Sequence, residues 1–254
     1  MMGAAPSQPA SSPSHGRYDV AWRTHIGLVR SINEDRLLVN AEQGIFAVSD
    51  GMGGHMRGDI AAQKVVNALA DVSASTHHQQ TAEAVSQAIG KANTDICQEA
   101  LVHGIDATMG ATVSVLVVSG NRYSCLWAGD SRIYLLRDGK LSRLTSDHSV
   151  TQDLINRKLI EESQRNSHPQ ASVITRAIGI SSALDIATTS GDALPDDRFL
   201  ICSDGICGIL DDDEIRQIMV ESNEERTADD LVEAVINLGA RDNLSFILVN
   251  NLNG

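Results

Sequence analysis

The chain has 254 residues, 42% hydrophobic and only 3% aromatic, with 33 acidic against 20 basic side chains and a formal net charge of -13. That length and apolar content suffice for one large core or two small ones, built of necessity from Val, Ile, Leu and Ala. The acidity excludes a general nucleic-acid binder, which needs a basic face to displace counterions, and no polybasic run suits an anionic membrane.

Residues 1–16 are rich in Ala, Ser and Pro and lack the charged start and apolar centre of a secretory signal, so a disordered tail is expected there. A single domain over 17–254 is expected to follow. From Tyr18 the pattern alternates, and Arg36 to Asn40 and Gly44 to Ser49 read as strands, the second ending at Asp50. Two helices come next. Ala61, Val65, Ala68, Leu69 and Val72 share one face of the first; Val85, Ala88, Ile89, Ala92, Ile96 and Ala100 share one face of the second. A strand meander is predicted over Ala111 to Val118, Tyr123 to Trp127 and Ser131 to Leu136, turning at Asp138-Gly139. Residues 146–172 are polar, with a short helical pattern from Val150 to Leu159, and read as an insertion. Strands at Leu184 to Thr189 and Arg198 to Ser203, helices near Asp212 to Val220 and Ala228 to Leu238, and a last strand at Leu244 to Val249 complete the order. Thr227 and Asp230 suggest a capping-box variant at the last helix. Alternating βαβ units are absent, so the fold class is α+β, mostly antiparallel sheet with segregated helices.

Cys97, Cys125, Cys202 and Cys207 form no Cys-x-x-Cys pair. The expectation is a reducing, cytoplasmic compartment without disulfides or a zinc ribbon. No stretch is long and apolar enough to span a bilayer.

Four aspartates stand in four short motifs: Asp35 in Asn33-Glu34-Asp35-Arg36, Asp50 in Asp50-Gly51-Met52-Gly53-Gly54-His55, Asp204 in Ser203-Asp204-Gly205, and Asp242 in Arg241-Asp242-Asn243. Three of them adjoin an apolar run that reads as a strand, and a strand end holds a carboxylate rigidly. Gathered in one pocket, these acids repel one another unless they hold protons or a cation enters. Oxygen donors without clustered His or Cys point to Mg, Mn or Ca. The dense glycines after Asp50 let backbone approach a ligand, and the Gly51 carbonyl is itself a candidate hard-cation ligand. They match neither Gly-x-x-x-x-Gly-Lys-Ser/Thr nor Gly-x-Gly-x-x-Gly.

Seven motifs occur in order: Gly27 through Asp35, Asp50 through His55, Thr108-Met109-Gly110-Ala111-Thr112, Gly129-Asp130-Ser131-Arg132, Ile174 through Gly179, Ser203-Asp204-Gly205 and Asp242-Asn243. Together they resemble the PP2C-type (PPM) metal-dependent protein serine/threonine phosphatases, most like the compact bacterial members. The resemblance runs from about Tyr18 to the last residues. It implies a four-layer αββα sandwich, two packed antiparallel sheets flanked by helix pairs. It implies two Mn or Mg ions bridged by Asp50, one also bound by the Gly51 carbonyl and the other by Asp204 and Asp242. Glu34 and Asp35 would hold metal-bound waters, Asp130 with Asp204 would hold a third, weaker ion, and Arg30 would grip the substrate phosphate. The implied reaction is hydrolysis of phosphoserine and phosphothreonine by a metal-bridging hydroxide.

A guanidinium such as Arg30 suits phosphate oxygens through its planar fork. No Cys-x5-Arg phosphatase loop exists: five residues intervene between Cys202 and Gly208. One departure is Met52, where some members carry a histidine read as the general acid; methionine donates no proton, and the Asp130 site is the expected source instead. His55 reads as a residue ordering the glycine turn, and His77 and His78 as solvated. Residues 146–172 correspond to the family's flap and are expected to influence substrate choice. Phosphorylated proteins, a cognate Ser/Thr kinase and a monomeric state are the expected partners and form. The competing readings are a sensing module without turnover, a phosphatase of small metabolites or nucleotides, and a structural calcium protein, against which stands the lack of an Asp-x-Asp-x-Asp-Gly loop.

Overall fold

The computed structural model describes residues 17–53, 57–103 and 109–252. The tail over 1–16, Gly54 and His55 of the glycine motif, and Thr108 lie outside the described residues. In chain order the elements are β1 (Tyr18–His25), β2 (Arg36–Asn40), β3 (Ile45–Ser49), β4 (Gly51–Met52), α1 (Gly58–Ala70), α2 (His78–His103), β5 (Gly110–Ala111), β6 (Val113–Ser119), β7 (Arg122–Ala128), β8 (Arg132–Arg137) and β9 (Lys140–Arg143). They continue with α3 (Val150–Asn156), β10 (Ala187–Asp192), β11 (Arg198–Cys202), α4 (Asp204–Cys207), α5 (Asp212–Glu221), α6 (Glu224–Asn237) and β12 (Leu244–Asn251).

Two five-stranded antiparallel sheets carry the fold, in the orders β1-β12-β11-β8-β9 and β10-β7-β6-β3-β2, and a short β4-β5 pair stands beside them. The central strands read as unbroken apolar runs because each is buried on both faces. In β3, Ile45 and Ala47 face α1 and α2, while Phe46 and Val48 face the other sheet. In β12, Ile247 and Val249 lie between the sheets, and Phe246 and Leu248 pack under α5 and α6. The period-2 alternation of a strand thus feeds two cores at once. The layers are helix, sheet, sheet, helix, as the resemblance implies. The few aromatics concentrate between the sheets, where Tyr18 meets Phe46 edge-on at 5.6 Å and Tyr123 meets Phe199 at 5.3 Å.

Four local expectations are corrected. The strand expected at Leu184 to Thr189 is β10 at Ala187–Asp192. It is an edge strand paired only with β7, and Leu184 and Ile186, which drew the sequence assignment forward, pack against the helix-side core before it begins. Helix α6 starts at Glu224, capped by Asn223, whose side chain accepts from the Arg226 N–H at 3.0 Å. Thr227 is therefore inside the helix, buried, its hydroxyl donating to the Ser222 carbonyl. The single turn α4 was not foreseen, being too short for helical periodicity. His78 is half-buried rather than solvated, its Nε2 sharing a hydrogen bond with Ser124 Oγ at 2.8 Å.

Candidate metal centre

Asp50 follows β3 directly, and its backbone is fixed on both sides by one residue. Its N–H donates to Thr112 Oγ1 at 3.0 Å, and its carbonyl accepts from the Thr112 N–H at 2.7 Å. Ser49 Oγ donates to the Thr112 carbonyl, and Thr112 Oγ1 also meets Ser131 Oγ at 2.8 Å. Asp204 opens α4 at the end of β11, and Asp242 immediately precedes Asn243 and β12. These two segments touch backbone to backbone: any Cβ at Gly205 would overlap the Asn243 carbonyl, so only glycine fits. Asp130 follows β7, beside a Gly129 whose N–H donates to His148 Nδ1 at 3.2 Å, and the His148 ring stacks on Trp127. Strand ends from both sheets therefore deliver the carboxylates to one edge of the sandwich.

They surround a cleft of about 550 Å³ whose lining includes Arg30, Glu34, Asp50, Gly51, Asp130, Asp204 and Asp242. Every sequence-predicted residue is present except Asp35, which lies behind the wall, 3% exposed, accepting from Ser203 Oγ at 2.9 Å. Met52 lines the same cleft. Arg30 stands at the mouth, but its NH2 is engaged, 2.6 Å from Asp242 Oδ2. The guanidinium read as a phosphate grip thus pairs with a carboxylate read as a metal ligand.

The carboxylates are held under strain of like charge. Burial first, then repulsion from Asp204 and Asp242, pushes Asp35 up to about 7 despite the hydrogen bond from Ser203 and the nearby Ser245 hydroxyl. Asp130 rises to about 7 by burial and by repulsion from Asp204 and Asp147. Asp204 rises to about 6, chiefly by burial and the charge of Asp242, with the charge of Arg30 opposing. Asp50 is pushed well above its ordinary value by burial and by Asp35, Asp204 and Asp130. Glu34 is raised by burial, offset by the Gly58 N–H it accepts. A cluster of acids that cannot all ionise favours a cation.

The residues fit a hard divalent ion. Asp35 Oδ1 and Asp204 Oδ1 are buried without any hydrogen-bond partner, and such orphaned acceptors call for an ion or its water. Among the described residues no three His, Cys, Asp or Glu side chains converge on one point as a closed cage would require. Magnesium and manganese, which keep several waters in their coordination shell, need fewer protein donors than a cage supplies.

The segment 146–172 reaches the cleft at its end, with Ser172 in the lining and Ile174, two residues beyond it, lining the cleft as well. A buried ion network anchors this segment: Arg132 holds Asp147 through two hydrogen bonds of 2.9 and 2.7 Å, and Arg165 NH1 reaches the same carboxylate at 3.0 Å. Sequence reasoning missed the supporting residues. Asn243, 6% exposed, accepts from the Glu34 N–H at 2.8 Å and donates to the carbonyls of Ile26 and Ile32. Thr112 and Ser203 were visible only as members of motifs, without a role.

A profile of the protein phosphatase 2C family matches residues 28–251. The serine/threonine protein phosphatase PstP of Mycobacterium tuberculosis is 32% identical over 228 residues, which is 90% of this chain and 44% of that protein. The chain thus spans under half the length of this relative. Among solved structures, PppA, described as a key regulatory component of T6SS in Pseudomonas aeruginosa, superposes with a TM-score of 0.86 at 36% identity, covering 93% of this chain and 98% of that one. The catalytic domain of PstP in complex with 2 manganese ions superposes with a TM-score of 0.82 at 29% identity, covering 92% of this chain and 98% of that one. Seven ordered motifs, the double-sheet sandwich with acids at one edge, and a match over nearly the whole length lead to one conclusion: the chain belongs to the protein phosphatase 2C family.

Proposed function

We propose that this chain is a protein serine/threonine phosphatase that hydrolyses phosphoserine and phosphothreonine with the help of two Mn or Mg ions. The observation that carries the reading is a floor of desolvated, mutually repelling carboxylates in a cleft whose single cation, among the described lining residues, is Arg30 at the mouth. A phosphomonoester dianion is repelled by such a floor unless cations intervene, and it is attracted by the guanidinium. When bound, a pair of divalent ions supplies positive charge for the phosphate and an activated water for in-line attack.

The roles proposed for the chain's own groups are those the family resemblance implies, and the presence of all of them but Asp35 in the cleft lining supports the reading. Asp50, the Gly51 carbonyl, Asp204 and Asp242 are the groups that would hold the pair. Asp130, with Asp204, would hold a third, weaker ion. Glu34 and the buried Asp35 would orient water. Asp242 is paired with Arg30 at 2.6 Å; a guanidinium released from that pair would present its planar fork to two phosphate oxygens. The departing serine or threonine alkoxide must gain a proton. Met52 has none to give, and the proton is assigned to the Asp130 side of the cleft.

The substrates on this reading are phosphorylated proteins, opposed by a cognate Ser/Thr kinase. The catalytic unit is a monomeric domain over 17–254 with the flap at 146–172 steering substrate choice. A cytoplasmic location is in keeping with four free cysteines and with the absence, among the described residues, of a helix long and apolar enough to cross a membrane.

The test is phosphate release from a phosphothreonine peptide with Mn, with Mg and with chelator, for wild type and Asp204→Ala. Release that needs metal and disappears in the variant is expected. No release from the wild type with either metal, while Mn still binds, refutes the reading in favour of a sensing module.

A further inference from the structure

Three large apolar side chains stand exposed around Arg30 on a single loop: Leu28 at 54%, Val29 at 69% and Ile32 at 39%. A lone exposed leucine needs no explanation, but a cluster at the mouth of a cleft does. This loop is not slack. Gly27 turns it with φ of 82°, and the Leu28 N–H donates to the Ala240 carbonyl at 2.8 Å. The Asn243 amide then ties both ends together, donating to the Ile26 carbonyl at 2.9 Å and the Ile32 carbonyl at 3.0 Å. Asn33 Nδ2 adds a bond to Thr24 Oγ1 at 2.8 Å. These bonds close the loop's ends and fix its turn in the conformation that leaves Leu28 and Val29 exposed.

The platform adjoins the cleft, Ile32 lying in the cleft lining and Leu28 and Val29 just outside it. Arg30, Ser31 and Ile32 line the cleft, and so does Ile174, next to a Val173 that is also exposed. Residues of an extended chain advance about 3.3–3.6 Å each. Leu28 and Val29 precede Arg30 by two residues and one, within about 8 Å along the chain, so the immediate neighbours of a phosphorylated residue whose phosphate rests on Arg30 are within their reach. A bare aryl phosphate does not reach them. Rigid apolar surface placed in advance gives affinity because little order is lost on binding.

We propose that Leu28 and Val29 are specificity-determining residues that receive an apolar side chain flanking the phosphorylated serine or threonine of a protein substrate. The assignment rests on the phosphatase reading above.

The experiment compares kcat/KM, with Mn present, on phosphothreonine peptides that carry Leu, Ser or Lys beside the phosphorylated residue, and on p-nitrophenyl phosphate. The proteins are wild type, the Leu28→Ser/Val29→Ser double variant, and the Leu28→Met/Val29→Ile double variant. Wild type is expected to prefer Leu over Ser by about tenfold, the scale of one to two methylenes in an apolar pocket. The serine variant loses that preference, to within about twofold, while hydrolysing the aryl ester as wild type does; the Met/Ile variant keeps it. Equal use of Leu and Ser peptides by wild type overturns the proposal. So does a serine variant that keeps the preference, including one that instead changes the oligomeric state in size-exclusion chromatography, which would give the patch to a second copy of this chain. Loss of all turnover in wild type overturns the phosphatase reading and this assignment with it, whereas turnover without a leucine preference overturns this assignment alone.

Discussion

Replacing Asp35 by Asn tests the central electrostatic claim, that the site is built at a cost which a cation relieves. Asp35 is 3% exposed, one oxygen accepts from Ser203, and the other has no partner. Asparagine keeps the shape and removes the charge. The wild-type carboxyl moves from an ordinary 3.8 to about 7 in the folded protein. A carboxyl raised on folding contributes stability that is fully present below about 3.8 and is lost as pH rises through about 7, because the folded state binds the proton more tightly than the unfolded chain. Each tenfold in proton affinity corresponds to about 1.4 kcal/mol, so the whole effect is about 4 kcal/mol, of which roughly 2–3 kcal/mol develops between pH 5 and pH 8. In chelator, Asp35→Asn is therefore expected to raise the melting temperature over wild type far more at pH 8 than at pH 5. At about 2–4 °C per kcal/mol for a domain of this size, the difference between the two offsets is roughly 5–10 °C. Added Mn should shrink or reverse the advantage at pH 8, since the ion neutralises the wild-type site. Thermal unfolding followed by circular dichroism at both pH values, with chelator and with Mn, measures all four quantities. An offset that is the same at pH 5 and pH 8 refutes the reasoning.

Two further outcomes are expected. Asp130→Ala should lower turnover of a phosphothreonine peptide by about a hundredfold or more, the usual scale of a lost proton donor, and should lower p-nitrophenyl phosphate turnover much less, because that leaving group needs no proton; equal losses in steady-state assays would dismiss Asp130 as the proton's side of the cleft. Gly205→Ala places a methyl group into the Asn243 backbone and is expected to cost about 3 kcal/mol or more, seen as a fall of roughly 6–12 °C in melting temperature; an unchanged melting temperature would show that α4 and the residue before β12 separate without penalty.

How much of this was legible beforehand differs by element. β3 and β12 announced themselves because strands buried on both faces must be apolar throughout, and the stripes on α1 and α2 because a helix packing on a sheet repeats its apolar face. The boundaries of β10 and α6 did not, since an edge strand has little apolar signal and a cap is decided by which side chain reaches a free N–H. In the site, the carboxylates were readable as residue types in motifs. The residues that hold them were less so: Asn243, Thr112 and Ser203 act by hydrogen bonds to segments up to about two hundred positions away, and nothing local in a sequence encodes such a partner.

The sequence by itself therefore carried the residue types and their order: carboxylates without clustered His or Cys, an arginine in the first motif, and the apolar runs that gave the α+β class, the layered sandwich being what the family resemblance implied. Tertiary structure decided what those groups do to one another. Only the packing of strand ends places Asp35, Asp50, Asp130 and Asp204 close enough, and dry enough, that burial and mutual repulsion lift them all. Only it sets Arg30 against Asp242 and turns Leu28 and Val29 outward beside the cleft. Desolvation and Coulomb energy depend on distance and surroundings in space, and a linear order of residues carries neither.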